Sequence, residues 1–142
     1  MSTSGSLRIK VIEARLTQDK EMFSTQDPYV MIEHRMERHM SKVCTDGGKT
    51  PTFGDEFIFD VKYIGDDITM KLWNKNVMTS DQLLGEATIK VSGFCVPGGI
   101  DDWWKVGYKG KDGGSIHFDC LFTPTVTEAD KHLEQKSEQL EA

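Results

Sequence analysis

Cysteine is scarce in this chain of 142 residues, and its placement excludes one class of protein at once. Cys44, Cys95 and Cys120 are odd in number, widely separated and without a CxxC pair, so they read as free thiols of a reducing compartment and not as a disulfide framework. Long apolar runs are missing too. No stretch approaches the ~18 residues of a membrane-spanning helix, and the opening MSTSGSLRIK lacks the apolar core of a signal peptide. Ser2 stands where the usual myristoylation pattern needs glycine. These absences predict a cytoplasmic protein whose membrane contact is peripheral. Positive charge is the third shortage. Lys and Arg number 17 against 23 Asp and Glu, for a formal charge of −6. Half of that excess comes from residues 125–142, where Glu128, Asp130, Glu134, Glu138 and Glu141 outweigh Lys131 and Lys136. A nucleic-acid partner is therefore not expected, since phosphate backbones call for a basic domain or stripe.

Catalytic and nucleotide signatures are equally thin. DGGKTP (Asp46–Pro51) suggests a phosphate-binding loop, but a Walker motif needs another glycine five residues before Gly48, and Val43 is there. His34, His39, His117 and His132 lack close metal-ligand spacing, and they read as structural or surface histidines. No serine or cysteine sits in a nucleophile elbow. The chain is not expected to be an enzyme.

What is abundant is alternation with period two. Leu7, Ile9 and Val11 share one face of LRIKV; Phe57, Phe59 and Val61 do so in EFIFDV. Ile68, Met70 and Leu72 align in ITMKLW, Ala87, Ile89 and Val91 in EATIKV, and Ile116, Phe118, Cys120 and Phe122 in SIHFDCLF. PYVMIEHR, HMSKVC and DWWKVGY are further strands with less regular patterning. Gly-, Asp- and Pro-rich turn clusters separate them. About eight short half-buried strands predict an all-β antiparallel sandwich with function on the loops at its ends. Pro124 ends the last strand, and Thr125 to Glu128 fits a capping box, so the acidic tail is predicted as a short helix or a frayed, disordered segment.

Four segments, in this order, carry a family likeness: TQDKEMFSTQDPYVMI, GKTPTFGDEFIFDV, WNKNVMTSDQLLGEATI and GSIHFDCLFTP. Together they resemble the C2 domain, the calcium- and phospholipid-binding sandwich, and within it the small single-domain plant elicitor-responsive type. The likeness implies an eight-stranded antiparallel Greek-key β-sandwich over residues 5–124, followed by an acidic tail over 125–142. It further implies a cup of three loops in which five carboxylates of the first and third loops hold calcium. Asp27 matches the aspartate of the family's DPY motif; Glu21 falls at the first-loop position, with Asp19 as its alternative. Asn74 and Asn76 stand where the family has an Asp-x-Asp pair. Gln82 takes the last acidic position, with Asp81 beside it. The candidate metal ligands are therefore Glu21, Asp27, Asn74, Asn76 and Asp81. Amide oxygens can ligate calcium, but a site so poor in anions belongs at the weak end, on the order of 10⁻⁴–10⁻³ M. Calcium is expected to bind weakly or not usefully.

The resemblance leaves the membrane as a partner. Met22 and Phe23 in the first loop, with Val77 and Met78 in the third, form a lipid-inserting tip unless they fold back onto the sandwich rim. HRMERHMSK carries Arg35, Arg38 and Lys42, where C2 domains often present a basic strand to phosphoinositide heads; each cation near an anionic leaflet is worth about 1 kcal/mol. The expected function is anionic phospholipid binding. The alternative is calcium-independent interaction with a protein partner.

Overall fold

The structure is a computed structural model and describes residues 4–21 and 24–126. Met22, Phe23 and the segment 127–142, including most of the tail and its capping box, lie outside the described residues. The described residues fold into eight strands: β1 (Gly5–Leu16), β2 (Pro28–His34), β3 (Glu37–Met40), β4 (Glu56–Val61), β5 (Asp67–Asn74), β6 (Gln82–Lys90), β7 (Ile100–Tyr108) and β8 (Lys111–Pro124). A single 3₁₀ turn, Val91–Phe94, joins β6 to β7. All pairings are antiparallel, in the order β3-β2-β5-β6 and β7-β8-β1-β4, and the two layers join at one pair, Glu86 with Gly107. At the open edge the Asp60 N–H donates to Glu37 Oε1 at 3.3 Å, and His39 stacks on Phe57 with ring centres 5.4 Å apart. These contacts set β4 beside β3, which makes β5-β2-β3-β4 a Greek key.

The predicted alternation is the packing. Leu7, Ile9 and Val11 from β1, Val30 and Ile32 from β2, Ile68, Met70 and Leu72 from β5, and Ile116, Phe118 and Cys120 from β8 all bury between the layers. Each large apolar side chain so removed from water contributes about 1.5–3 kcal/mol. In β1 the phase slips at a bulge between Val11 and Glu13, so the next buried residues are Ala14 and Leu16. Gly114 lies against the start of this crossing. Its φ is 110°, and a Cβ there would sit 1.9 Å from the Arg15 carbonyl oxygen, so only glycine lets β8 pass.

One predicted strand is displaced. HMSKVC was expected to be extended throughout, but β3 is Glu37–Met40. At Ser41 the side-chain hydroxyl, not a carbonyl, accepts the Val30 N–H at 2.9 Å, and this diverts the ladder. Among the described residues no helix is long and apolar enough to cross a membrane.

Candidate functional site

The pairings gather four connections at one end of the sandwich. Leu16 lies opposite Gly114, Pro28 opposite Asn74, Asn74 opposite Gln82, and Tyr108 opposite Lys111. Loop 1 (residues 17–27), loop 2 (41–55), loop 3 (75–81) and the β7–β8 turn therefore share this end. The inward phase of β5 runs Ile68, Met70, Leu72 and then Asn74, so the asparagine is carried inside and is 0% exposed. The inward phase of β2, read backwards from Val30 through Pro28, reaches Gln26, also 0% exposed. Two neutral amides thus stand beneath the loops, where the strands run out of partners.

Each amide is fully used. Gln26 Nε2 donates to the carbonyls of Gln18 and Gly48, both at 2.8 Å, and its Oε1 accepts the Lys20 N–H at 3.0 Å. It ties loop 1 to loop 2. Asn74 Oδ1 accepts the Asp27 N–H at 2.9 Å, which fixes the orientation of the amide, since only its oxygen can accept. Asn74 Nδ2 then faces Glu21 Oε1 at 2.9 Å and Gln82 Oε1 at 3.3 Å. An amide NH₂ holds these oxygens together as a cation otherwise would.

The other metal candidates are drawn elsewhere. Asp27 Oδ1 accepts the Asp46 N–H of loop 2 at 2.8 Å. Asn76 lies beyond the end of β5, and its Nδ2 donates to Ser80 O at 2.9 Å, so the two asparagine amides do not converge. Asp81 accepts the Asn76 N–H at 2.9 Å and the Tyr29 hydroxyl at 2.5 Å, with Lys75 Nζ at 3.7 Å. The bond from the Asn76 backbone, then that from Tyr29, holds the Asp81 carboxyl below its usual range. Burial, aided by Asp81, pushes the Tyr29 phenol up to about 12. Calcium requires six to eight converging oxygens. Among the described residues no three His, Cys, Asp or Glu side chains are grouped to hold a metal ion. With an NH₂ aimed at Glu21 and Asp81 bound to Tyr29, the donor set in this arrangement does not fit calcium.

The lipid candidates divide. Val77 and Met78, at the tip of loop 3, are 94% and 92% exposed, extended into solvent and not folded onto the rim. Met22 and Phe23 lie outside the described residues. The hairpin cations do not form one patch. Arg35 sits in the β2–β3 turn at the opposite end, with φ 53° and its Nε on Asp66 Oδ2 at 2.5 Å. Arg38 points outward from mid-strand and pairs with Glu33 at 3.4 Å. Lys42 follows β3 toward the loop end, where its N–H donates to Asp55 Oδ2 at 2.9 Å. Arg38 does border an open groove of about 560 Å³ across β3, β2 and β5, with Tyr29, Met31, Met40, Lys71 and Trp73. Lys71 went unremarked in the sequence, although it shares the outward phase of Trp73. Gln26 was missed too; the signal was its inward phase, two residues before Pro28.

The C2 domain family profile matches residues 5–106, and this chain belongs to that family. It is similar to 16 kDa phloem protein 2 of Arabidopsis thaliana, 32% identical over 96 residues that make up 68% of this chain and 65% of that one. It is also similar to elicitor-responsive protein 3 of Oryza sativa subsp. japonica, 26% identical over 121 residues, 84% of each chain. A solved C2 domain-containing protein from an elicitor-responsive gene superposes with a TM-score of 0.72 at 29% identity, covering 87% of this chain and 92% of that one. The resemblance to elicitor-responsive C2 proteins is thereby established, and strands β7 and β8 carry the fold past the profile match to Pro124.

Proposed function

We propose that this chain is a peripheral module that binds anionic phospholipid surfaces through its loop end, without requiring calcium. Residues 5–124 form the binding unit, and 125–142 form an acidic appendage. The observation that carries the reading is the Val77–Met78 tip: two large apolar side chains, more than nine-tenths exposed, project beside loop 1 at the end where the family places its cup. Isolated apolar residues are ordinary on a surface, but an adjacent pair of large apolar side chains at a loop apex suits insertion into a bilayer. The Asn74 amide supports independence from calcium, because it holds Glu21, Asp27 and Gln82 in place without an ion.

Sedimentation with vesicles of anionic and neutral lipid, in calcium and in chelator, tests this. Equal binding to anionic vesicles in both conditions is expected. Val77→Ser with Met78→Ser should lower that binding at least ten-fold while leaving the melting temperature unchanged, since the tip packs on nothing. Binding in calcium alone would overturn calcium independence. Binding in neither would favour a protein partner, for which Ile58 and Leu121 offer an apolar surface on either side of Arg8 on the outer face of β4, β1 and β8.

A further inference from the structure

Two cations at the loop end are gathered around one aromatic ring with no anion between them. Lys20 Nζ lies 4.2 Å from the centre of the Tyr108 ring and donates to the Tyr108 hydroxyl at 2.5 Å; Lys109 Nζ lies 5.3 Å from the same centre. The other contacts of Lys20 are neutral: Nζ to Gln18 Oε1 at 3.4 Å, and its backbone N–H to buried Gln26 at 3.0 Å. Among the described residues neither ammonium lies within 4.0 Å of a carboxylate.

The pair is also held in place. Loop 1 is fixed under Lys20 by the three hydrogen bonds of Gln26. Lys109 and Gly110 both have left-handed φ, 49° and 77°, which gives the tight two-residue hairpin turn expected between antiparallel strands. The hydrogen bond from Lys20, and then Lys109, draw the Tyr108 phenol below its usual pKa. Between them opens a groove of about 370 Å³ lined by Lys20, Gln82, Leu83, Tyr108 and Lys109. Gln82 gives its oxygen to Asn74, which turns its NH₂ away from that residue. Both ammonium groups border the Tyr108 ring, and an anion with several oxygens can accept hydrogen bonds from more than one such donor.

We propose that this groove is a phosphomonoester site, in which Lys20 and Lys109 clamp the phosphate oxygens and the Tyr108 hydroxyl supplies a third donor. The phosphate is that of a lipid headgroup or of a soluble molecule. The lipid form rests on the membrane reading above, because the groove opens at the same end as the Val77–Met78 tip; the soluble form does not.

The test compares the wild-type chain with Lys20→Gln/Lys109→Gln, with Tyr108→Phe, and with Lys62→Gln at the far end as control. Inorganic phosphate, followed by NMR, should shift the backbone amides of Lys20, Lys109 and Gly110 in the wild type and not in the double variant. Vesicles of phosphatidylcholine with phosphatidic acid should bind more tightly than vesicles with an equal surface charge of phosphatidylserine, whose phosphate is a diester. The double variant should lose that preference and about five-fold in affinity per lysine, the factor matching about 1 kcal/mol for each basic group at an anionic surface. Tyr108→Phe should weaken phosphate binding with the ring in place, and Lys62→Gln should change nothing. Phosphate shifts without a vesicle preference would assign the site to a soluble phosphate. No phosphate shifts, with vesicle binding unaltered in the double variant, would overturn the site; the Val77/Met78 variant would still decide the membrane reading separately.

Discussion

At the end of the sandwich away from the loops, charges meet in pairs. Arg35 Nε lies 2.5 Å from Asp66, Lys62 Nζ 2.9 Å from Asp60, and Lys90 Nζ 2.9 Å from Asp67, while the 3₁₀ turn buries Val91 and Phe94 over the core. The loop end is held differently. Among the described residues, it buries the uncharged amides of Gln26 and Asn74, Glu21 is held by an N–H₂, and Lys20 and Lys109 rest on a phenol. Its ion pairs, Lys75–Asp81 at 3.7 Å and Lys105–Asp112 at 3.8 Å, are looser. Ion pairs neutralise the end they close. Amides satisfy backbone and carboxylate groups without neutralising anything, so the loop end keeps its shape while its charges stay uncompensated.

The comparison breaks hardest at Asn74. Asn74→Asp would set a carboxylate oxygen where Nδ2 now stands, 2.9 Å from Glu21 Oε1 and shielded from water. A buried charge without a partner costs about 3 kcal/mol or more. The cost should grow as the introduced carboxyl ionises, because a buried charge is then created. Thermal melts should show a large loss at neutral pH that shrinks on acidification. Calcium in chelator-controlled melts should recover part of it, since a ligand held only by the folded state stabilises that state. A variant as stable as the parent in chelator would mean that the Asn74–Glu21 contact does not hold this end together.

Gln26→Ala should come next. It strands two carbonyls and one N–H beneath loops 1 and 2, at about 2 kcal/mol for groups left buried and unpaired. Hydrogen exchange should quicken in residues 17–20 and around Gly48 while the strands stay protected. Uniform loss across the sandwich would deny that the glutamine is a local tie.

The smallest effect belongs to the far end. Arg35→Gln should lower the melting temperature by a few degrees at most and leave vesicle binding unchanged, because Arg35 lies a whole strand away from the tip. The Arg35 hydrogen bond holds the Asp66 carboxyl below its ordinary value of 3.8. A depressed carboxylate contributes stability that is complete above the ordinary value and is lost as pH falls through the depressed one. The parent and Arg35→Gln should therefore differ at neutral pH and converge in strong acid. Weaker vesicle binding in Arg35→Gln would return the hairpin turn to the membrane surface.

Much of the site could be read from the chain, but not its wiring. Loop 3 was located by Asn74 and by Leu83-Leu84-Gly85, and the DPY turn located Asp27. The family pattern sets Asn74 and Asn76 together as a ligand pair, but β5 ends at Asn74, and Asn76 turns back to Ser80. The cations of HRMERHMSK are near neighbours in sequence, yet a turn at Arg35 and the departure of the chain at Ser41 send them to different parts of the surface.

Strand periodicity is local, since consecutive side chains point to opposite faces whatever lies across from them. For that reason the sequence alone determined most of the strands and the buried faces of Leu7, Ile9 and Val11, of Ile68, Met70 and Leu72, and of Ile116, Phe118 and Cys120, but not the bounds of β3 or the bulge of β1. Closure of the sandwich is not local. Lys20 meets Tyr108 across 88 residues, Tyr29 meets Asp81 across 52, and Asn74 meets Glu21 across 53. No periodicity links such pairs, and a hydrogen bond depends on the distance and angle between atoms that only the packed layers bring together. Tertiary structure therefore decided that Glu21 meets the Asn74 amide, and that Lys20 and Lys109 face one ring.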